Sequence, residues 1–340
     1  MNRSSFRTLL GLLAVLALAV AFTACGDDED DDGGGAAATP TATQPADSGE
    51  ISAEEKAANK INPVQGASGT SLTVGSKNFT EQYVLGEIYA QALTAAGYKV
   101  DTDLKLGSEV IAYRALRQGE IDAYPEYTGT ALTSFFDVKI ADVPKEAQQA
   151  FDDAKAEYAK AKVTALPPTP FENTYRMAVT KETAEKIGNP TTISDLAEHD
   201  QDLIVNGYPE CRQRIDCLLG VQQTYGLKFK RFLPGENPYQ VLDSGDTDVA
   251  FVFSTDGPLS TDKYVVLDDD KSLFPPYNIS FTVRDEVAQK LGQDGQAVIT
   301  NVQKYMTEEI MQELNARVDI DKQEPKKVAA EYLKNFGFVS

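Results

Sequence analysis

Histidine is almost absent from this chain: His199 is the only one in 340 residues, and it sits in the polar run Glu198-His199-Asp200, which reads as exposed. Ser-His-Asp and Cys-His nucleophile sites therefore have no good base to draw on, and multi-histidine metal sites cannot be built. There is no Gly-x-Ser-x-Gly elbow and no Gly-x-x-x-x-Gly-Lys-Ser/Thr phosphate loop, so hydrolase and ATPase chemistry lack their usual marks. Basic residues are scarce as well. Lys and Arg number 32 against 52 Asp and Glu, a net charge of −20, which excludes the basic footprint that a nucleic-acid binder needs. Three cysteines are too few for a disulfide scaffold, and a chain this long needs none to bury its core. Two domains, or one large one, fit the length.

What is present begins with a segment outside the fold. Arg3 and Arg7 precede an apolar run over residues 9–22, too short and too abruptly ended for a good spanning helix. The run stops at Phe22-Thr23-Ala24-Cys25-Gly26, where small residues before a cysteine match a bacterial lipobox, although Phe22 replaces the usual leucine. Residues 1–24 are thus read as a lipoprotein signal peptide, with Cys25 taking the lipid; an uncleaved signal anchor is the alternative. Either places the body outside the cytoplasm. Residues 25–70 read as a flexible acidic tether, opened by six consecutive acids at 27–32 and a run of three glycines, with weak helical character near residues 50–60. The remainder is still strongly acidic. Cys211 and Cys217, six apart in an oxidising compartment, are expected to pair; two free buried thiols are the alternative.

The body alternates short β-type runs with amphipathic helical runs. Strand patterns at 72–75, 99–104 and 121–124 enclose helical ones at 80–96 and 108–117, the pattern of a parallel α/β sheet. A polar-faced helix spans 144–162. A second α/β unit follows the proline cluster Pro167-Pro168-Thr169-Pro170, and further strands and helices, the longest at 295–315, follow Pro275-Pro276. Both proline breaks lead through an aromatic into a strand and then a charged helix start. They read as two crossings between lobes, giving lobe 1 from residues 71–172 and 278–340, lobe 2 from 173–277, and a ligand cleft between them. Two consecutive domains with no return crossing are the alternative.

Two motifs are specific enough to suggest a family. Gly75-Ser76-Lys77-Asn78-Phe79-Thr80-Glu81-Gln82 and Tyr124-Pro125-Glu126-Tyr127-Thr128-Gly129-Thr130 resemble the substrate-binding lipoproteins of quaternary-amine ABC importers, the binders of glycine betaine, choline and osmoprotectants. Arg214 with Asp216, Ser254-Thr255-Asp256-Gly257 and Phe274-Pro275-Pro276-Tyr277-Asn278 fall in the expected order, so the resemblance covers about residues 72–338. It implies a type II periplasmic-binding-protein fold, no catalysis and no cofactor or metal. The implied partners are a small quaternary amine, an ABC permease and its separate ATPase subunit, and the membrane through Cys25; the chain is expected to be a monomer.

Trimethylammonium has no N–H to recognise, so a cage of aromatic faces must hold it through the ring quadrupole. A carboxylate tail calls for donors and positive charge. The resemblance implies a cage of Tyr127, Tyr175, Phe253 and Tyr277 and a polar set of Lys77, Thr130, Arg214 and Asn173. Phe253 stands where the family usually has tyrosine, and Asn173 where some relatives carry aspartate. Arg212 competes with Arg214 for the cleft. In such a cage the hydroxyls of Tyr127 and Tyr277 are expected to matter little.

Overall fold

The computed structural model describes residues 51–340, Glu236 excepted. Cys25, the signal peptide and the tether up to residue 50 lie outside the described residues. Two five-stranded mixed sheets carry the fold. The first is ordered β2-β1-β3-β10-β4, from β1 (Ser71–Gly75), β2 (Lys99–Asp103), β3 (Ala123–Tyr127), β4 (Val163–Ala165) and β10 (Ile279–Arg284). The second is ordered β7-β6-β8-β5-β9, from β5 (Tyr175–Thr180), β6 (Ile204–Gly207), β7 (Arg231–Pro234), β8 (Val249–Phe253) and β9 (Tyr264–Leu267). One plan is used twice. Three strands pair in parallel, and a fourth runs antiparallel between two neighbours: β10 between β3 and β4, β5 between β8 and β9.

Each antiparallel strand is entered directly from a crossing. The chain leaves the first sheet after β4, crosses into β5, and returns through Pro275-Pro276 into β10, so the consecutive-domain alternative falls. The crossings are bonded to each other. Glu172 and Asn278 form an antiparallel bridge, Asn173 N–H donates to the Tyr277 carbonyl at 3.2 Å, and the Thr174 hydroxyl donates to the Pro275 carbonyl at 3.1 Å. Asn278 ties back to the Thr169 and Phe171 carbonyls. Prolines supply no N–H here, so side chains complete the pairing.

The helices cover the sheets as the apolar spacing demands. Below the first sheet, α2 (Thr80–Ala95) buries Val84, Leu85, Ile88 and Leu93 against α9 (Asp285–Gln303), α10 (Glu308–Asp319) and α11 (Pro325–Asn335). Its other face packs α3 (Glu109–Gln118) and α5 (Ala147–Lys160) around Leu116, Tyr124 and Tyr158, with the single turn α4 (Thr128–Thr130) continuing directly from β3. The second sheet carries α6 (Lys181–Lys186), α7 (Leu218–Tyr225) and α8 (Pro238–Asp243). Cys211 and Cys217 are joined inside its core, their Cα atoms 5.0 Å apart.

Two expectations need correction. The tether does not run to residue 70. Ser52 and Glu55 form a reciprocal capping box that starts α1 (Ala53–Asn59). Asn59 is buried and donates to the Phe336 carbonyl at 2.7 Å, Ile61 N–H donates to the Phe338 carbonyl, and Ala67 is buried, so residues 52–70 pack onto the first lobe. The long helix at 295–315 is in fact two helices. Thr307 caps a new one by accepting the Ile310 N–H at 3.3 Å, with the acids Glu308 and Glu309 in its first turn.

Candidate functional site

A cleft of about 840 Å³ lies between the two sheets, and Lys77, Tyr127, Thr130, Asn173, Tyr175, Arg214, Phe253 and Tyr277 all line it. They arrive from strand ends and crossings of both lobes. Tyr127 ends β3, and Thr130 is the last residue of the turn α4. Gly129 makes the approach of the second crossing possible: a Cβ there would lie 2.8 Å from the Tyr277 ring and 2.9 Å from the Pro276 carbonyl oxygen. Any larger residue would push Tyr277 out of place.

The second lobe supplies most of the ring surface. Tyr175 and Phe253 are register partners across β5 and β8, and their rings stack with centroids 4.8 Å apart and planes 28° apart. Tyr208, which the sequence reading did not select, tilts against Phe253 at 5.8 Å and lines the same cleft. Its signal was available: like Tyr127, it is an aromatic at the C-terminal end of a parallel strand. Phe79, also on the wall, stacks on Tyr127 at 6.2 Å.

Both cationic side chains are already matched by buried acids. Lys77 is 5% exposed; its ammonium pairs with Glu126 and lies 4.3 Å from the centroid of the Tyr127 ring. Glu126 also accepts from the Tyr124 hydroxyl at 2.9 Å and the Tyr127 N–H at 2.8 Å. Arg214 forks onto Asp216, which is fully buried, with its Nε 2.8 Å from Oδ1 and its second bond from Nη2 to Oδ2. That pairing raises the guanidinium's affinity for its proton. Arg212 turns to the Phe232 carbonyl and ring instead and is not on the cleft wall, so Arg214 is the arginine that lines it.

Glu81 and Asp256, two of the four carboxylates that line the cleft, were not selected from sequence. Glu81, on the first turn of α2, is 2% exposed and accepts from the Tyr127 hydroxyl at 2.7 Å, Asn173 Nδ2 at 3.0 Å and Asn315 Nδ2 at 3.3 Å. The Tyr127 hydroxyl is therefore not idle, whereas that of Tyr277 makes only a 3.4 Å contact with Asp216. Asp256 is half-buried, accepts from the Tyr239 hydroxyl at 2.8 Å and the Phe253 N–H at 3.0 Å, and is pushed from its ordinary 3.8 up to about 6, chiefly by burial, with the charges of Glu81 and Asp319 adding to it. The loop that carries it packs tightly on α10, since a Cβ at Gly257 would meet the Ala316 backbone at 2.7 Å.

The Asp256 shift sets a pH dependence. The folded protein holds this proton more tightly than the unfolded chain, so the stabilisation is complete below about pH 4 and is lost as pH rises through about 6. Asp256→Asn keeps an acceptor for Tyr239 and Phe253 and removes the titration. The variant is expected to be more stable than the parent at pH 7.5 by on the order of 1–2 kcal/mol, with the gap closing towards pH 4.5. Urea unfolding at the two pH values checks this; a gap that does not change with pH defeats it.

The wall as a whole offers ring faces and oxygen acceptors to a cation, and the outer N–H groups of Arg214 and Lys77 to an anion. Among the described residues no group of three or more His, Cys, Asp or Glu side chains is placed to hold a metal ion. A family model described as the substrate-binding domain of ABC-type glycine betaine transport systems matches residues 70–335. The chain is 34% identical over 295 residues to the glycine-betaine-binding protein of Pseudomonas aeruginosa, a match covering 79% of this chain and 88% of that one. It is 31% identical over 294 residues to the glycine betaine-binding protein YehZ of Escherichia coli, covering 81% and 93%. A solved structure described as a glycine betaine/carnitine/choline ABC transporter superposes with a TM-score of 0.72 at 29% identity, covering 78% of this chain and 99% of that one. Two lobes on one plan, a double crossing and a ring-lined cleft accord with these matches, and the chain belongs to the substrate-binding proteins of ABC-type glycine betaine transport systems, a family of transport and not of catalysis.

Proposed function

We propose that this protein captures a small zwitterion bearing a trimethylammonium group and a carboxylate, glycine betaine first, and delivers it to an ABC permease driven by a separate ATPase subunit. One observation carries the reading: the stacked Tyr175–Phe253 pair and the Asp216-forked Arg214 line the same cleft, and the Arg214 guanidinium lies 5.8 Å from the Tyr175 ring. Ring faces take the methylated cation, at about 0.5–2 kcal/mol per good contact, and the arginine takes the carboxylate. Tyr127 and Tyr277 complete the cage, while Thr130, Asn173 and the remaining Lys77 N–H groups serve as polar contacts. Carnitine shares both groups and fits the same scheme; choline lacks the carboxylate and leaves Arg214 without its ligand. Anchoring through a lipid on Cys25 and an extracytoplasmic location are part of this proposal, supported by the lipobox-like run before Cys25. Among the described residues no helix is long and apolar enough to cross a membrane.

Calorimetric titration with glycine betaine, carnitine, choline, dimethylglycine, sarcosine and glycine tests the ligand class. Affinity is expected to be highest for the trimethylated carboxylates and to fall with each methyl removed, since every loss removes apolar contact with the ring faces. Choline is expected to bind more weakly than betaine. Unmethylated glycine binding as tightly as betaine would overturn the reading.

A further inference from the structure

We infer that Glu81 is the counter-charge for the ligand's cation and sets the preference for a charged over a neutral head group. The inference rests on the quaternary-ammonium reading above. A carboxylate with 2% exposure ordinarily has an ion-pair partner, because neutral donors alone do not offset its desolvation. Glu81 has none among the described residues, in contrast to Glu126 and Asp216 nearby, each of which is matched by Lys77 or Arg214. What it has is three neutral donors that fix its position: the Tyr127 hydroxyl, Asn173 Nδ2 and Asn315 Nδ2.

The two asparagines show the same imbalance. Each turns its N–H₂ end to Glu81, and the buried Oδ1 of each has no hydrogen-bond partner among the described residues. Asn315 is 4% exposed and also donates to the Thr255 carbonyl, so its amide is locked between α10 and the loop carrying Asp256. Glu81, Asn173 and Asn315 all line the cleft. That side of the wall therefore carries a net negative charge, on Glu81, beside a space bordered by ring faces. A trimethylammonium group suits it: it carries the missing positive charge, and its polarised methyl C–H groups are weak donors to oxygen. Asn173, standing where some relatives carry aspartate, contributes no charge itself but holds the residue that does.

The test separates charge from shape. tert-Butylacetate has the outline and the carboxylate of glycine betaine but a neutral head. Glu81→Gln is expected to weaken betaine binding by about tenfold or more while changing tert-butylacetate binding by less than about threefold, because only the charged head loses a Coulomb partner. Retained tert-butylacetate binding also shows that the variant is folded. Equal losses for both compounds would mean that Glu81 only supports the shape of the wall, and would overturn the inference while leaving the ligand class intact. If Glu81→Gln does not fold, Glu81→Asp keeps the charge: it is expected to preserve the ratio of betaine to tert-butylacetate affinity even as both fall, and loss of that ratio would overturn the inference. Failure of the parent protein to bind any trimethylammonium compound overturns the ligand class and this inference together.

Discussion

Replacing Lys77 by methionine lowers the stability of the protein by about 3–5 kcal/mol, and adding Glu126→Gln restores most of the loss. The argument starts from burial. The two side chains are 6% and 0% exposed, and the remaining partners of Glu126, the Tyr124 hydroxyl and the Tyr127 N–H, are neutral. Removing the ammonium leaves the fully buried Glu126 carboxylate without a cationic partner. Methionine fills roughly the volume of the lysine stem, so the cost is electrostatic and not a cavity. Neutralising Glu126 in the same protein removes the charge that suffers. Urea unfolding of the parent, the single variant and the double variant measures the cycle. Parent-like stability in Lys77→Met alone would show that the pair contributes nothing, and an equally unstable double variant would trace the loss to packing. The double variant is also the right background for asking whether Lys77 touches the ligand, since it separates binding from folding.

The sequence made the frame legible because its signals are local. Strand and helix runs alternate from residue 72 onward, and proline clusters at 167–170 and 275–276 mark both crossings. Elements that escaped reading are short ones completed by a partner. β4 and β7 have three and four residues, and they exist because β10 and β6 present backbone groups to them. The mixed pairing escaped for the same reason, since nothing local in 279–284 says that this strand runs antiparallel. The Ser52-x-x-Glu55 capping box and the Thr307 cap were readable and were outweighed by polar composition on one side and continuous helical periodicity on the other.

The site divides along a similar line. Its rings and cations sit in recognisable motifs, so their residue types and positions could be read. Their partners could not, because each pairing joins distant segments: Lys77 to Glu126, Tyr127 to Glu81, and Glu81 to Asn173 and Asn315. Sequence therefore suggested that the Tyr127 hydroxyl was dispensable, whereas packing makes it one of three donors fixing a buried carboxylate. Lys77, expected in the polar set, is held by Glu126 with its ammonium over an aromatic face.

Arg214 carries the second large expected effect, on affinity. In an Arg214→Met, Asp216→Asn protein, the Kd for glycine betaine is expected to rise by about ten- to a hundredfold, the worth of one charge-assisted contact to a carboxylate. Choline, with no carboxylate, is expected to change by less than about threefold. The double substitution is needed because Asp216 is fully buried and takes two hydrogen bonds from Arg214; methionine at 214 alone would strand that carboxylate and confuse unfolding with weak binding. Arg214→Lys is expected to fail nearly as badly as methionine, since an ammonium cannot fork onto Asp216 and keep a planar edge for the ligand. Arg214 lies between Cys211 and Cys217, so the loop that presents it is closed at both ends on the second lobe's core. Titration calorimetry with betaine and choline on parent and variants measures the effect. Equal losses for the two ligands would assign Arg214 to holding the loop alone, while a loss confined to betaine places the carboxylate against its guanidinium.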